Sequence, residues 1–231
     1  MPSPLLVFDL DGTLIDTAPD LVDTLNVILA RERLPAVPFD AARNMIGGGA
    51  RALLERGLAA EGRDCGREQI DRLYRDFVDH YAEHVADRSR PFPGLEAALD
   101  QLAGDGWRFA VCTNKLEGLS VQLLDALGLS ARFDAVCGQD TFGVQKPHPD
   151  ILLNTIRRAG GDPAQAIMVG DSATDVDVAR AARVPVIAVT FGYTEIPAAQ
   201  LGADRVIDEF TALPAAVSAL TGIYDNFNER G

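Results

Sequence analysis

Lysine is nearly missing from this sequence: Lys115 and Lys146 are the only two, beside nineteen arginines in 231 residues. Basic residues as a class are outnumbered by acidic ones, 21 against 34, and the formal net charge is −13 at pH 7. A polyanionic backbone or an anionic bilayer surface is a poor partner for such a chain, so neither nucleic acid nor membrane is expected. A small anionic substrate stays open, provided the site recruits cations. Cysteine is scarce too: Cys65, Cys112 and Cys137 are far apart, odd in number and in no C-x-x-C pair. That argues against a disulfide framework and a structural zinc site, and fits a reducing compartment. No apolar run approaches the ~18 residues of a membrane span, and Met1-Pro2-Ser3-Pro4 lacks the basic region that opens a signal peptide. A cytoplasmic location is expected. P-loop, G-x-G-x-x-G and G-x-S-x-G elements are all missing, which removes the usual nucleotide-binding and serine-hydrolase signals.

What is present is an ordinary globular composition, 47% hydrophobic and 24% charged, on a chain long enough for one large domain or one domain with an insertion. Short apolar runs recur and each closes on small, polar or acidic residues: Leu5–Phe8 on Asp9, Phe109–Cys112 on Thr113-Asn114, Ala135–Cys137 on Gly138, Ile167–Val169 on Gly170-Asp171, and Val186–Val189 on Thr190. Arg205–Ile207 before Asp208 is a weaker candidate. Consecutive apolar positions suit strands buried on both faces, as in parallel sheets. Helical spacing lies between them, as in Leu95, Ala98, Leu99, Leu102 and in Leu119, Leu123, Leu124, Leu127 with Gly128 as a stop. The alternation predicts an α/β fold with an open, doubly wound, Rossmann-like parallel sheet.

One stretch breaks the rhythm. From about Asp16 to Asp87 there are only helix-length amphipathic segments, such as Leu21–Leu29 and Ile70–Tyr81, with 14 acids and 9 arginines for an outer face. The expectation is a helical cap over residues 16–87 inserted after the first strand, with 1–15 and 88–231 forming one catalytic core.

In open α/β sheets ligands sit beyond the carboxyl ends of the strands, so the polar residues there decide the chemistry. The ends offer Asp9 and Asp11 around Leu10, then Thr113-Asn114, then Lys146 in a loop stiffened by Pro147 and Pro149, and lastly Asp171 with Asp175 four residues on. Brought together, these groups put four carboxylates against one lysine. Like charges at close range in a partly dry site repel by several kcal/mol, so such a pocket calls for a cation. An oxygen-only ligand set selects a hard ion, and Mg²⁺ takes a few carboxylates, waters and a substrate phosphate. The cation reverses the sign of the pocket, and a carboxylate can then attack phosphorus as a nucleophile. An acid two residues away can protonate the leaving alcohol and later deprotonate a water.

In order and spacing, Asp9-Leu10-Asp11-Gly12-Thr13, Thr113, Lys146-Pro147 and Gly170-Asp171-x-x-x-Asp175 resemble the four motifs of the haloacid dehalogenase-like phosphatase superfamily. The longer runs Asp9–Asp20, Ile46–Arg51 and Gly143–Pro149 are similar to its phosphoglycolate phosphatase branch. The resemblance implies Asp9 as nucleophile and metal ligand, and Asp11 as general acid/base with its backbone carbonyl on Mg²⁺. It implies Thr113, Lys146 and the Asn114 backbone as holders of the phosphoryl oxygens, Asp171 as a metal ligand and Asp175 one layer behind it. The activity implied is Mg²⁺-dependent hydrolysis of a small phosphorylated metabolite, 2-phosphoglycolate first, through an aspartyl-phosphate. A sugar-phosphate phosphatase or phosphomutase of the same fold would keep all four motifs. A dehalogenase would need neither Asp11 nor a metal, and a phosphonate hydrolase would need a lysine inside the cap, where there is none. A phospho-receiver signalling module also groups acids, Thr and Lys around Mg²⁺, but it lacks a cap, and Asp11 equips this site to hydrolyse its phosphate.

Other residues keep two readings. Arg51, after Gly47-Gly48-Gly49-Ala50, either belongs to a helix-start loop or closes over a substrate carboxylate, since Arg binds carboxylates bidentately. Lys115 either adds charge at the pocket mouth or points to solvent, and Asp16 is either a hinge group or a surface acid. His80 and His84 have metal-ligand spacing but no evident third ligand, which favours a solvated helix face. Cys112 and Cys137 fall in buried strands and are expected to be small core residues. Thr221–Gly231 matches no motif.

Overall fold

The computed structural model describes residues 3–194 and 196–228. Its centre is a parallel sheet of six strands: β1 (Leu5–Phe8), β4 (Arg108–Cys112), β5 (Ala135–Cys137), β6 (Ala166–Gly170), β7 (Val186–Val189) and β8 (Arg205–Ile207), in the order β5-β4-β1-β6-β7-β8. The first strand lies in the middle, with Val7 beside Ala110 on one flank and Met168 on the other. Every apolar run anticipated in the sequence is one of these strands, the weak run before Asp208 included.

Side chains alternate across the sheet, so each strand feeds two cores. Leu6, Phe8, Val111, Val169 and Ile187 face one side, with α5 (Leu95–Gly104), α6 (Glu117–Ala126) and the start of α9 (Leu213–Asn228). Leu5, Val7, Ala110, Cys112 and Met168 face the other, with α7 (Pro149–Arg158) and α8 (Ala173–Ala182). Helices on both faces make the sheet doubly wound, as expected. Cys112 and Cys137 are buried strand residues and all three cysteines are unpaired. The terminal run Thr221–Gly231 lies in and beyond the end of α9; residues 229–231 fall outside the described residues.

Four helices occupy the chain between the second and third strands: α1 (Ala18–Arg31), α2 (Phe39–Arg43), α3 (Gly49–Ala60) and α4 (Arg67–Glu83). Their apolar stripes face one another, with Leu25 and Ile28 of α1, Leu54 of α3 and Leu73 and Phe77 of α4 all buried. Gly57 lets α3 approach α1 closely, since a Cβ there would stand 2.8 Å from Leu25 Cδ1. One feature was not legible in the sequence. Two-residue strands β2 (Ile15–Asp16) and β3 (Arg90–Pro91) pair antiparallel where the chain leaves the sheet and where it returns. Asp20, buried in the first turn of α1, clasps the same crossing by accepting from Arg88 N (3.0 Å), Ser89 N (2.7 Å) and Ser89 Oγ (2.6 Å).

Candidate active site

Asp9 follows β1 directly, and its N–H still donates to Val169 O at 2.9 Å, so the carboxylate is held at the tip of the central strand. Thr113 follows β4 and Asp171 follows β6, the strands on either side. Three adjacent parallel strands ending together therefore bring residues 9, 113 and 171 to one edge. Gly12 turns the chain after β1 in a left-handed conformation, φ +82°, and a Cβ there would stand 2.5 Å from Asp171 Oδ2.

Asp175 sits in the first turn of α8. Its Oδ2 accepts from Asp171 N (3.2 Å), Ser172 N (3.1 Å) and Ser172 Oγ (2.7 Å), which caps the helix. Its Oδ1 accepts from Lys146 Nζ at 2.6 Å. Lys146 Nζ also stands 2.8 Å from Asp9 Oδ1, an ion pair without hydrogen-bond alignment, and Asp9 Oδ1 is buried with no hydrogen-bond partner. Asp171 accepts from Tyr193 N at 2.7 Å and, at longer range, from Thr13 Oγ1 at 3.5 Å.

These positions decide the electrostatics. Burial pushes the Asp9 carboxyl up to about 6 against the pull of Lys146, and Asp175 adds to the rise. Burial, with the charges of Asp175 and Asp9, holds Asp171 well above the usual carboxylate range. Burial opposes the charge on Lys146, but Asp175 and Asp9 outweigh it and keep the ammonium protonated. Among the described residues, Asp9, Asp171 and Asp175 are the one group of three candidate ligands with oxygens within 4.8 Å of one another. Buried, oxygen-only and net negative against a single lysine, the group suits a hard cation.

Asp11 projects on the other side of the turn. Lys115 Nζ lies 2.9 and 3.0 Å from its two oxygens, and Thr17 Oγ1 donates to Oδ1 at 2.7 Å. Lys115 is only 7% exposed and its Nζ stands over the Tyr81 ring, 4.5 Å from the centroid. Of its two sequence readings, solvent is excluded. Asn114 brackets the Lys146 peptide with its side chain.

Asp9, Asp11, Thr113, Asn114 and Lys146 line a cavity of ≈ 40 Å³ between the strand ends and the inserted helices. Ile46, Leu53, Tyr74, Phe77 and Tyr81 supply its apolar wall. Arg51 does not line it: the guanidinium binds Asp71 Oδ1 at 2.6 Å and lies over the Tyr74 ring. The His80 and His84 rings lie 4.5 Å apart between centroids, tilted by 45°, and His84 pairs with Asp87. Asp16 accepts from Tyr193 Oη at 2.7 Å, so it joins the crossing of β2 to the loop after β7.

Tyr193 and Tyr81 were missed in the sequence. Tyr193 acts through its backbone N–H, which no side-chain pattern encodes. Tyr81 looked like one more core position on α4, but its hydroxyl was a signal, because a buried hydroxyl needs a partner.

Residues 6–189 match the family model described as haloacid dehalogenase-like hydrolase. The phosphoglycolate phosphatase of Mesorhizobium japonicum is 48% identical over 92% of this chain and 94% of its own length. That of Caulobacter vibrioides is 50% identical over 93% and 91%. The crystal structure of a predicted phosphoglycolate phosphatase from Haemophilus somnus superposes with a TM-score of 0.86 at 30% identity, covering 93% of this chain and 97% of that one. Sequence and fold agree: the chain belongs to the haloacid dehalogenase-like hydrolase family.

Proposed function

We propose that the protein is a Mg²⁺-dependent phosphatase that hydrolyses 2-phosphoglycolate to glycolate and phosphate, with residues 16–87 as the cap and 1–15 and 88–231 as the catalytic core. One observation carries this reading: two buried carboxylates, Asp9 and Asp171, come together at the edge of a small cavity, with Lys146 Nζ 2.8 Å from Asp9 Oδ1. The relatives named phosphoglycolate phosphatase support the choice of ester. The cavity excludes a polymer, so the substrate is a small ester. The three free thiols fit a reducing cytoplasm.

In the first half-reaction an Asp9 oxygen attacks phosphorus in line, the P–O bond to glycolate breaks, and Asp11 gives its proton to the departing oxygen. Thr113, Lys146 and the Asn114 backbone hold the phosphoryl oxygens while charge shifts among them. In the second half-reaction Asp11 takes a proton from water, the oxygen of that water attacks phosphorus, and the bond to Asp9 breaks to release phosphate. Asp9, Asp171 and the Asp11 carbonyl would hold Mg²⁺, with Asp175 behind them, both of its oxygens being already engaged. The ion would neutralise the phosphate dianion as it meets the carboxylate.

Phosphate release in Mg²⁺ tests the reading, with kcat/KM for 2-phosphoglycolate set against sugar and nucleoside monophosphates. A preference of about a hundredfold or more is expected, ~2.7 kcal/mol of differential transition-state binding. A flat profile, or a sugar phosphate ahead, removes the substrate and leaves the mechanism standing.

A further inference from the structure

An ester that carries a second anion besides its phosphate needs a second countercharge, and the cavity offers few. Among the described residues, two cationic side chains line it, Lys146 and Lys115. Lys146, paired with Asp175 and Asp9 at the floor, is the one the phosphoryl group takes. Arg51 is committed to Asp71 outside the lining. Most of the remaining wall is apolar, and an uncompensated carboxylate there would be costly.

Resting on the phosphoglycolate reading above, we infer that Lys115, together with the Tyr81 hydroxyl, binds the carboxylate of the substrate's leaving group and so selects short carboxylated esters. Two observations point to a ligand. An ammonium has three donors; the two oxygens of Asp11 take two, and the third lies on the Tyr81 side, where Tyr81 Oη forms no hydrogen bond of good geometry. Tyr81 is 1% exposed, lines the cavity, and its Oη has no hydrogen-bond partner. A buried hydroxyl left in this way is costly in the empty protein and is satisfied by an incoming oxygen.

The position also measures length. Asp11 must reach the ester oxygen to protonate it, and Lys115 touches Asp11. An anion bound at Lys115 therefore lies beside the ester oxygen. In 2-phosphoglycolate one methylene separates the two, whereas a longer acid would carry its carboxylate past Lys115. The selecting charge comes from the core loop after β4 and the hydroxyl from α4 of the cap, so the subsite is complete only with the cap closed.

The test compares kcat/KM for 2-phosphoglycolate with that for 2-hydroxyethyl phosphate, a neutral ester of similar shape, in the Mg²⁺-loaded wild type and in Lys115→Met, Lys115→Arg and Tyr81→Phe. The readout is the ratio, so a loss common to both esters through the Asp11 contact cancels. In Lys115→Met the ratio is expected to fall about a hundredfold, the scale of a lost charge-assisted bond. Lys115→Arg is expected to keep most of the ratio, and Tyr81→Phe to lower it about tenfold. An unchanged ratio in Lys115→Met overturns the inference and leaves the phosphoglycolate reading intact. A wild type that does not prefer the carboxylated ester removes that reading and this inference with it.

Discussion

Asn114 grips the peptide of Lys146 from both ends: its Oδ1 accepts from Lys146 N at 2.9 Å and its Nδ2 donates to Lys146 O at 3.2 Å. A side chain at the end of β4 thus fixes the backbone from which Lys146 projects. Asn114→Ala leaves a buried N–H and C=O unpaired, a cost of about 1–3 kcal/mol. Misplacing Lys146 should also lower kcat roughly 10–100-fold. Urea titration and steady-state assay of the same preparation check the two effects. Stability lost with kcat unchanged would mean that the grip does not place the lysine.

Asp20 accepts from Arg88 N, Ser89 N and Ser89 Oγ, so one buried carboxylate ties the outgoing chain to the returning one. Asp20→Ala removes charged acceptors from three donors and should cost about 3 kcal/mol of stability. A denaturant midpoint within error of wild type would contradict this.

The acids at the site were legible in the sequence for a physical reason. A parallel strand buried on both faces reads as an unbroken apolar run, so its end, and the acid that follows, stand out. Asp9 and Asp171 stand out in that way, and so does the hydroxyl of Thr113 after β4. Lys115 was visible as a residue, but its direction depends on Asp11 and Tyr81, which lie far from it in the chain. The ribbon of β2 and β3 is two residues per strand and has no period to detect. Arg51 follows a glycine run that suggests a closing loop, but Asp71 on the facing helix claims its charge.

Arg51 supplies the next prediction. Because it sits on Asp71 and over Tyr74, outside the cavity lining, Arg51→Ala should keep the preference for 2-phosphoglycolate over the neutral ester within about threefold. Collapse of the preference would restore a direct role for Arg51.

The raised carboxyls predict a pH effect in the metal-free protein. The Asp9 carboxyl stands at about 6 folded against 3.8 in a free chain. The folded state therefore holds a proton that the unfolded state releases as pH rises between those values. The penalty of an ionised, buried Asp9 is absent below 3.8 and fully in force above about 6, and Asp171 shifts in the same direction. Metal-free protein should lose stability as pH rises through that window, and Mg²⁺ should restore progressively more of it. Thermal melts with chelator and with Mg²⁺ across the window check this, and parallel curves would contradict it.

The central claim is that Asp9 carries the phosphoryl group. Rapid quenching of the Mg²⁺-loaded enzyme with 2-phosphoglycolate labelled in its phosphate, followed by peptide mapping, tests it most directly. The account predicts label on the peptide bearing Asp9 in the wild type, and neither label nor turnover in Asp9→Asn. Turnover without any labelled protein, or label on another residue, would contradict it.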